Sequence, residues 1–250
     1  MPGIDYGGVA DLYDLYVTAD YDVEFFVAEV RRARGPVLEL TSGTGRLSIP
    51  LLEAGADLTC VDMSRPMLDV LEHKLAARGL AAEVVCADVC RLALPRRFEL
   101  TIFPFQTFLE LVTEEDQAAA LASAFAALNP GGRFICTLHN PAVRRATLDG
   151  VLRGGGPVPA EGGTLVVTAS ERGGRPLVER LQFFELFDAR GLLVWKRMQV
   201  QEFTLVERDD FERLARAAGF RVARVYGDYR RSEFDPATSP VMIWELVRPG

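Results

Sequence analysis

The sequence predicts an α/β fold in which a mostly parallel sheet carries helices on both faces. From residue 36 to residue 140, short apolar segments alternate with amphipathic helical segments, a pattern typical of parallel strands covered by helices. After residue 140, three long segments with alternating apolar residues are separated by glycine-containing turns, which predicts an antiparallel insertion. Because 49% of the 250 residues are hydrophobic, the chain can bury one large core, and we expect a single domain over residues 1–250.

Four parts of this domain differ in their sequence pattern. They are an N-terminal helical segment (1–35), a parallel core (36–140), an antiparallel β insertion after the fifth strand (141–205), and a C-terminal helix with a final strand pair (206–250).

The core contains five predicted strands, and each ends where a polar or glycine-rich loop begins. In chain order they are VLEL, LTCVD, EVVCAD, ELTIFPF and FICTLHN, the last after a predicted tight turn, NPGGR. Ser64 is a predicted N-cap for the helix after the second strand, and Thr113 with Asp116 forms an acidic capping box after the fourth. Gly219 is predicted to end the last helix. Because parallel strands end at one edge of a sheet, the loops meet where open α/β sheets bind ligands.

Composition excludes several classes of function. The net charge of −7 leaves no basic field for nucleic acid. The sequence contains no apolar segment long enough to span a membrane and no secretory signal, so we expect a cytoplasmic protein without a membrane partner. The two histidines lie far apart and no HExxH motif is present, so we expect no metal site.

The strongest local signal is VLELTSGTGR, a strand that ends near an acid and continues into a glycine-containing loop. Glu39 belongs to the strand, and Gly43 and Gly45 allow backbone to approach a ligand ahead of a helix N-terminus. Asp62 ends the second strand, where a carboxylate can accept both hydroxyls of a ribose, and Asp88 ends the third, where it can meet an adenine edge. Three acids at three successive strand ends predict a nucleoside-binding edge.

The segments ELTSGTGR, VDMSRPML, ADV and LNPGGRF, in this order and spacing, resemble the motifs of class I S-adenosylmethionine-dependent methyltransferases of the small-molecule type. The resemblance implies a Rossmann-like seven-stranded sheet with an antiparallel last strand. It implies S-adenosylmethionine as cofactor, S-adenosylhomocysteine as product and a small-molecule methyl acceptor as partner. The resemblance covers residues 5–140 closely and the C-terminal part more loosely.

The resemblance also implies roles for individual cofactor-binding residues. Gly43 and Gly45 would hold the methionine portion, which Glu39 helps to orient. Asp62 would bind the ribose and Asp88 the adenine. Met63 and Val89 would be apolar walls of the adenine slot. Thr41 departs from the family, which usually has a glycine there, and would narrow the loop.

The loop after the fourth strand matches the place where the family brings the methyl group to the acceptor. Phe105 and Phe108 would form an apolar wall around cofactor and substrate, and Gln106 offers an amide; core packing is the alternative for Phe108. His139, at the end of the fifth strand, is the candidate general base, with a structural histidine as the alternative. An amine acceptor would need no dedicated base.

Two further segments are candidates for the binding site because of their positions in the sequence. Residues 1–35 resemble a lid over the cofactor, in which Tyr13 or Tyr16 would contact its carboxylate end, with packing as the alternative. Tyr229 and Arg230 lie in the loop between the last two strands, where an arginine could bind an anionic group of the acceptor or remain solvated. The insertion could roof the acceptor pocket, form a homodimer, or do both.

Three other interpretations stay open at this point. The chain could bind S-adenosylmethionine without methyl transfer, or transfer its aminocarboxypropyl group instead. A NAD-dependent oxidoreductase also has a strand, a glycine-rich turn and a later acid, but Ser48 stands where that motif needs glycine.

Overall fold

The structure is a computed structural model that describes residues 4, 6–173 and 176–250. Residues 1–3 and 5 of the predicted lid, and residues 174–175 of the predicted insertion, lie outside the described residues. The α-helices are α1 (Tyr13–Tyr16), α2 (Val23–Arg32), α3 (Ser48–Glu53), α4 (Arg65–Arg78), α5 (Glu114–Ala127), α6 (Pro141–Arg144) and α7 (Arg208–Ala217). The strands are β1 (Val37–Leu40), β2 (Leu58–Asp62), β3 (Glu83–Cys86), β4 (Phe98–Phe103), β5 (Leu128–His139), β6 (Arg153–Gly154), β7 (Val158–Ala160), β8 (Gly163–Gly173), β9 (Leu177–Phe187), β10 (Leu193–Thr204), β11 (Arg221–Tyr226) and β12 (Val241–Val247).

The main sheet confirms the predicted fold class. It has seven strands in the order β11-β12-β5-β4-β1-β2-β3, and β1 to β5 pair in parallel. The last strand, β12, runs antiparallel to both of its neighbours. The chain proceeds from β1 outward to β3 and then returns to the other side of β1 as β4. This reversal opens a crevice between the ends of β1 and β4, which is where doubly wound sheets bind ligands.

Alternate residues of the parallel strands pack on opposite faces of the sheet. Leu38 and Leu40 pack into a cluster that includes Phe211 of α7, whereas Val37 packs into a second cluster that includes Phe26 of α2. Both faces are therefore covered by helices, and β1 is buried along its whole length. Glu39 is the charged residue of this strand, and only 1% of its surface is exposed.

The second sheet is antiparallel, as the alternating pattern predicts. Its strands follow the order β10-β9-β8-β6, with β7 paired to β8. Val178 of β9 and Phe203 of β10 are buried in the same apolar cluster as Phe108 and Trp244. The insertion thus lies against the main sheet and covers its carboxyl edge.

The predicted helix caps and the predicted turn before the fifth strand were confirmed in part. The Thr113 hydroxyl accepts a hydrogen bond from the Asp116 amide at the start of α5, and Gly219 follows α7 with a φ of +102°. Ser64 occupies the N-cap position of α4, but its hydroxyl makes no capping bond; the Asp62 carboxylate accepts from the Ser64 amide instead. The predicted NPGGR turn lies inside β5 as an irregularity, because Leu128 and Arg133 pair with Phe98 and Leu100 of β4.

None of the helices in the described part of the chain is long and apolar enough to cross a membrane.

Gly45 is a position where both backbone conformation and packing require glycine. Its φ is +84°, and a Cβ would lie 2.4 Å from Cδ1 of Leu71, which is fully buried in α4. We expect Gly45→Ala to lower the free energy of unfolding by about 2–4 kcal/mol, combining left-handed strain with overpacking. Gly55→Ala is the matched control, because Gly55 has a φ of +91° with open space around it and would incur only the strain of about 1–2 kcal/mol. Urea denaturation measures both losses, and equal losses would contradict the packing role of Gly45.

Candidate active site

A cavity of about 460 Å³ lies between the carboxyl edge of the main sheet and the inner face of the antiparallel sheet. The loops after β1, β2, β3 and β4 form its floor, and the N-terminal segment with β9 and β10 forms the remaining walls. Most of the predicted site residues line it: Tyr13, Tyr16, Thr41, Gly43, Asp62, Met63, Asp88, Val89, Phe105, Gln106 and His139. Residues far apart in the chain are therefore brought together as the strand-end argument predicts.

The loop after β1 adopts a left-handed conformation at both Thr41 and Gly43, with φ values of +58° and +55°. Thr41 stands where the family usually has glycine, and its hydroxyl is hydrogen-bonded within the protein. It donates to the carbonyl oxygen of Leu40 at 2.6 Å and lies 2.6 Å from the hydroxyl of Thr107. Thr41 thus keeps the backbone path that glycine would allow. Left-handed non-glycine residues cost free energy, and they persist where the surroundings hold them.

Asp62 fixes this loop to the end of β2. Its Oδ2 accepts a hydrogen bond from the Gly43 amide and its Oδ1 from the Ser64 amide, both at 2.8 Å. Burial raises the pKa of Asp62, and the two backbone N–H groups oppose that increase because they favour the charged form. Each carboxylate oxygen has a second lone pair, so Asp62 can still accept hydrogen bonds from a ligand.

A partly apolar slot lies between the ends of β2 and β3. Met63 is 42% exposed beside Asp62, whereas Val89 is buried at 7% exposure beside Asp88. The Asp88 Oδ1 accepts a hydrogen bond from the Cys90 amide at 2.9 Å, which orients its carboxylate. The slot has two apolar side chains and one oriented carboxylate, a combination that suits a planar polar ring.

The loop after β4 is strained in the same way as the β1 loop. Phe105 and Gln106 have φ values of +57° and +60°. The Gln106 amide donates to the Thr137 hydroxyl at 3.1 Å, and its side-chain Nε2 donates to the Tyr229 hydroxyl at 3.1 Å. The Arg46 guanidinium lies 4.3 Å from the centre of the Phe105 ring. These contacts hold the loop at the crevice between β1 and β4.

Arg46 also attaches the N-terminal segment to the core. It donates two hydrogen bonds to the fully buried Asp22 at 2.6 and 2.7 Å, and a third to the Ala19 carbonyl at 2.8 Å. Tyr13 and Tyr16 pack edge to face, and Tyr16 packs in the same manner on Phe184 of β9. The segment therefore closes one side of the cavity against both sheets.

His139 lies at the end of β5, where it is uncharged at neutral pH. Burial, together with the nearby Arg144 and Arg180, lowers the pKa of His139 to about 4, and the charge of Glu171 opposes the decrease. A neutral imidazole can donate or accept a hydrogen bond, but with this lowered pKa it is a weak general base.

Five predicted residues do not line this cavity: Glu39, Gly45, Phe108, Tyr229 and Arg230. Phe108 does not line the cavity: it is fully buried and packs against Phe103 and Phe211, which agrees with the core-packing alternative. Gly45 packs on α4 and does not line the cavity. Glu39 lies beneath the loop, where it accepts a hydrogen bond from the Ser48 hydroxyl at 2.6 Å, and burial raises its pKa to about 8. Arg230 lines a neighbouring groove instead.

That groove is the place where Tyr229 and Arg230 are found. Gln106, His139 and Arg144 line both it and the main cavity, so the two spaces adjoin. The predicted loop therefore borders the site, with Tyr229 bonded to Gln106 and Arg230 on the exposed side.

Several cavity-lining residues were missed from the sequence. Arg180 of β9 and Arg144 of α6 both bond to Glu171, and Arg180 also donates to the Gln201 side-chain oxygen at 3.2 Å. Glu110 lines the cavity below them. Little in the sequence indicated that they line the cavity. On a strand with alternating apolar residues, a charged side chain that faces a cavity cannot be distinguished from one that faces solvent until the packing of the two sheets is known.

Within residues 4, 6–173 and 176–250, no group of three or more histidine, cysteine or acidic side chains is placed to hold a metal ion.

Comparisons with known proteins agree with this geometry. Residues 37–132 match a methyltransferase domain family. The chain is 29% identical over 211 residues to cypemycin N-terminal methyltransferase of a Streptomyces species, covering 83% of this chain and 81% of that protein. It is 32% identical over 133 residues to glycine/sarcosine N-methyltransferase of Halorhodospira halochloris, covering 52% of this chain and only 50% of that relative.

A solved structure shares the fold over nearly the whole chain. It is an S-adenosylmethionine-dependent methyltransferase from Clostridium acetobutylicum ATCC 824, with a TM-score of 0.83, 18% identity, and coverage of 98% of this chain and 99% of that one. The strand order, the loops at the carboxyl edge and these matches lead to one assignment. Residues 37–132 form a methyltransferase domain, and the matches and the fold together support a class I S-adenosylmethionine-dependent methyltransferase with S-adenosylmethionine as its cofactor.

Proposed function

We propose that this enzyme methylates an amine nitrogen of a small molecule by direct displacement. The observation that carries the proposal is the single cavity in which the strand-end residues of the cofactor edge face the polar inner surface of the antiparallel sheet. A donor held on the floor would present its methyl group to an acceptor held under that roof.

The cofactor residues are assigned from the geometry of the floor. Thr41 and Gly43 would border the methionine portion, with Tyr13 or Tyr16 at its carboxylate end. Asp62 would accept the ribose hydroxyls through the lone pairs that Gly43 and Ser64 leave free. Met63, Asp88 and Val89 would enclose the adenine. Glu39 and Gly45 would act indirectly, by supporting the loop from below.

The acceptor would lie beside Phe105, Gln106 and His139, with Tyr229 and Arg230 at the entrance. The bound cofactor supplies an electrophilic methyl group on a sulfonium sulfur. The acceptor nitrogen forms the new N–C bond with its lone pair while the C–S bond breaks and its electron pair goes to sulfur, which leaves S-adenosylhomocysteine. The walls of the cavity align the two reactants, and that alignment supplies much of the rate enhancement.

His139 favours nitrogen over oxygen as the acceptor atom. A hydroxyl acceptor needs a base that takes its proton as the bond forms, and an imidazole with a pKa of about 4 is a weak base. A neutral amine carries its own lone pair. The two relatives named above are N-methyltransferases by name, which supports the same choice.

The proposal extends to location and assembly. We place the enzyme in the cytoplasm, as the sequence indicates. The outer face of β10 exposes Val194, Met198 and Val200 by 54–61%, and this apolar row supports pairing with a second copy of the chain. The inner face of the same strand lines the cavity, so a homodimer would leave the acceptor site open.

Asp62 provides the test of the cofactor site. We expect Asp62→Ala to weaken the binding of S-adenosylmethionine and S-adenosylhomocysteine by about 1–3 kcal/mol, because bonds to a charged group are lost. Titration calorimetry measures both ligands, with NAD as a ligand that should not bind. Asp69→Ala is the matched control, since Asp69 is an exposed carboxylate on α4 that pairs with Arg65 and does not line the cavity. Unchanged affinity in Asp62→Ala would contradict the ribose assignment, and binding of NAD would favour the oxidoreductase.

An acceptor screen tests the reaction itself. We expect methyl transfer to at least one of glycine, sarcosine, a peptide with a free N-terminus, or an amino sugar, and none to the corresponding hydroxyl compounds. Mass spectrometry with donor carrying a deuterated methyl group identifies the methylated product and the co-product. Methylation of a hydroxyl compound would contradict the nitrogen assignment, and methylthioadenosine as co-product would indicate aminocarboxypropyl transfer.

A further inference from the structure

Glu110 is a carboxyl group in the cavity to which no role has yet been assigned. It is the last residue of the 3₁₀ turn Thr107–Glu110 that follows β4, and it lines the cavity. Its Oε1 accepts a hydrogen bond from the Tyr6 hydroxyl at 2.9 Å. Among the described residues, no lysine or arginine forms an ion pair with it.

Three other acids that are buried or partly buried have cationic partners, whereas the buried Glu39 accepts a hydrogen bond from the Ser48 hydroxyl. Asp22 bonds to Arg46, Glu29 to Arg133 and Arg231, and Glu171 to Arg144 and Arg180. A buried carboxylate without such a partner is costly, and the fold keeps one only where something else compensates. Glu110 differs from these acids because its free side faces the cavity.

The other acids that line the cavity accept hydrogen bonds from backbone amides or, for Asp116, from the Thr113 hydroxyl. Asp62 accepts from two amides and Asp88 from one. Among the residues that the structure describes, Glu110 accepts a hydrogen bond only from the Tyr6 hydroxyl, which leaves one carboxylate oxygen and further lone pairs for a ligand. The missing partner is therefore a cation that arrives with the substrate.

We propose that Glu110 binds the ammonium form of the acceptor and takes its proton, which makes the acceptor a basic aliphatic amine. This inference rests on the proposed N-methylation. The N–H bond breaks, the proton passes to a Glu110 carboxylate oxygen, and the bonding pair remains on nitrogen as the lone pair that attacks the methyl group. The methylated nitrogen leaves as an ammonium ion, and Glu110 returns its proton to solvent when product departs.

The surroundings of Glu110 suit such a transfer. Burial raises its pKa to about 7, the Tyr6 hydrogen bond and Arg180 oppose the increase, and the charge of Asp62 adds to it. Tyr13 and Tyr16 also face this part of the cavity. A base that titrates near the working pH is both deprotonated enough to act and strong enough to accept a proton.

Sinefungin and S-adenosylhomocysteine together test the proposal without a known acceptor. Sinefungin carries an amino group where the transferred methyl would be, so its ammonium marks the reaction position, whereas S-adenosylhomocysteine has no charge there. We expect Glu110→Gln to weaken sinefungin binding by about tenfold or more, the scale of a charge-assisted bond, and to leave S-adenosylhomocysteine binding unchanged. Glu115→Gln is the matched control, because Glu115 is exposed on α5.

The pH dependence gives a second readout. In the wild-type enzyme, the affinity for sinefungin relative to S-adenosylhomocysteine should rise as the pH increases through about 7, because Glu110 becomes charged over that range. Tyr6→Phe keeps the carboxyl group but removes a bond that lowers its pKa, so the midpoint should move to higher pH. This variant keeps the test decisive if Glu110→Gln does not fold.

The outcomes separate this inference from the proposed function. Equal loss of both ligands in Glu110→Gln would show that Glu110 holds the amino acid end of the cofactor, and no loss of either would show that it has no ligand; each result overturns the inference. A midpoint that Tyr6→Phe leaves in place also overturns it. Failure of the wild-type enzyme to methylate any amine, with both ligands bound normally, overturns the proposed function instead.

Discussion

The hydrogen bond from the Gly43 amide to the Asp62 carboxylate is the contact on which the site depends. It joins the ends of two neighbouring parallel strands, and it holds a loop whose backbone is left-handed at Thr41 and at Gly43. Without that carboxylate, the loop would lose a hydrogen bond that holds its backbone in the strained left-handed conformation. The same carboxylate also fixes the start of α4 through Ser64, so one side chain sets the positions of the loop, the strand end and the helix that surround the cofactor edge.

Charge is distributed unevenly around the cavity, and the distribution fits the chemistry. The floor carries acids at the strand ends, where a cofactor with hydroxyl and amino groups needs acceptors. The roof carries Arg144 and Arg180, which share Glu171 and add to the effect of burial in lowering the pKa of His139. Glu110 lies between these regions without a cationic partner among the described residues. The arrangement favours a reaction in which a cationic nitrogen loses a proton before it attacks.

The parallel core and its site were predictable from the sequence because they follow from local rules. Apolar segments alternating with helical ones specify a parallel sheet, and parallel strands end at one edge, so Thr41, Asp62 and Asp88 had to lie near one another. Side-chain direction could not be predicted from the sequence. Phe108 and Gln106 are two residues apart in a strained turn, and only the structure shows that one points into the core and the other toward the cavity. Arg180 and Glu110 could not be paired with the site from the sequence, because their positions depend on how the antiparallel sheet packs over the edge.

The central claim is that one cavity holds the cofactor on the strand ends and leaves room for an amine under the second sheet. A crystal structure of the enzyme with S-adenosylhomocysteine tests this most directly. The account predicts the ribose hydroxyls on Asp62, the adenine between Met63 and Val89, and the homocysteine sulfur facing the space bordered by Gln106 and His139. A nucleoside bound elsewhere, or a sulfur that faces away from that space, would contradict it.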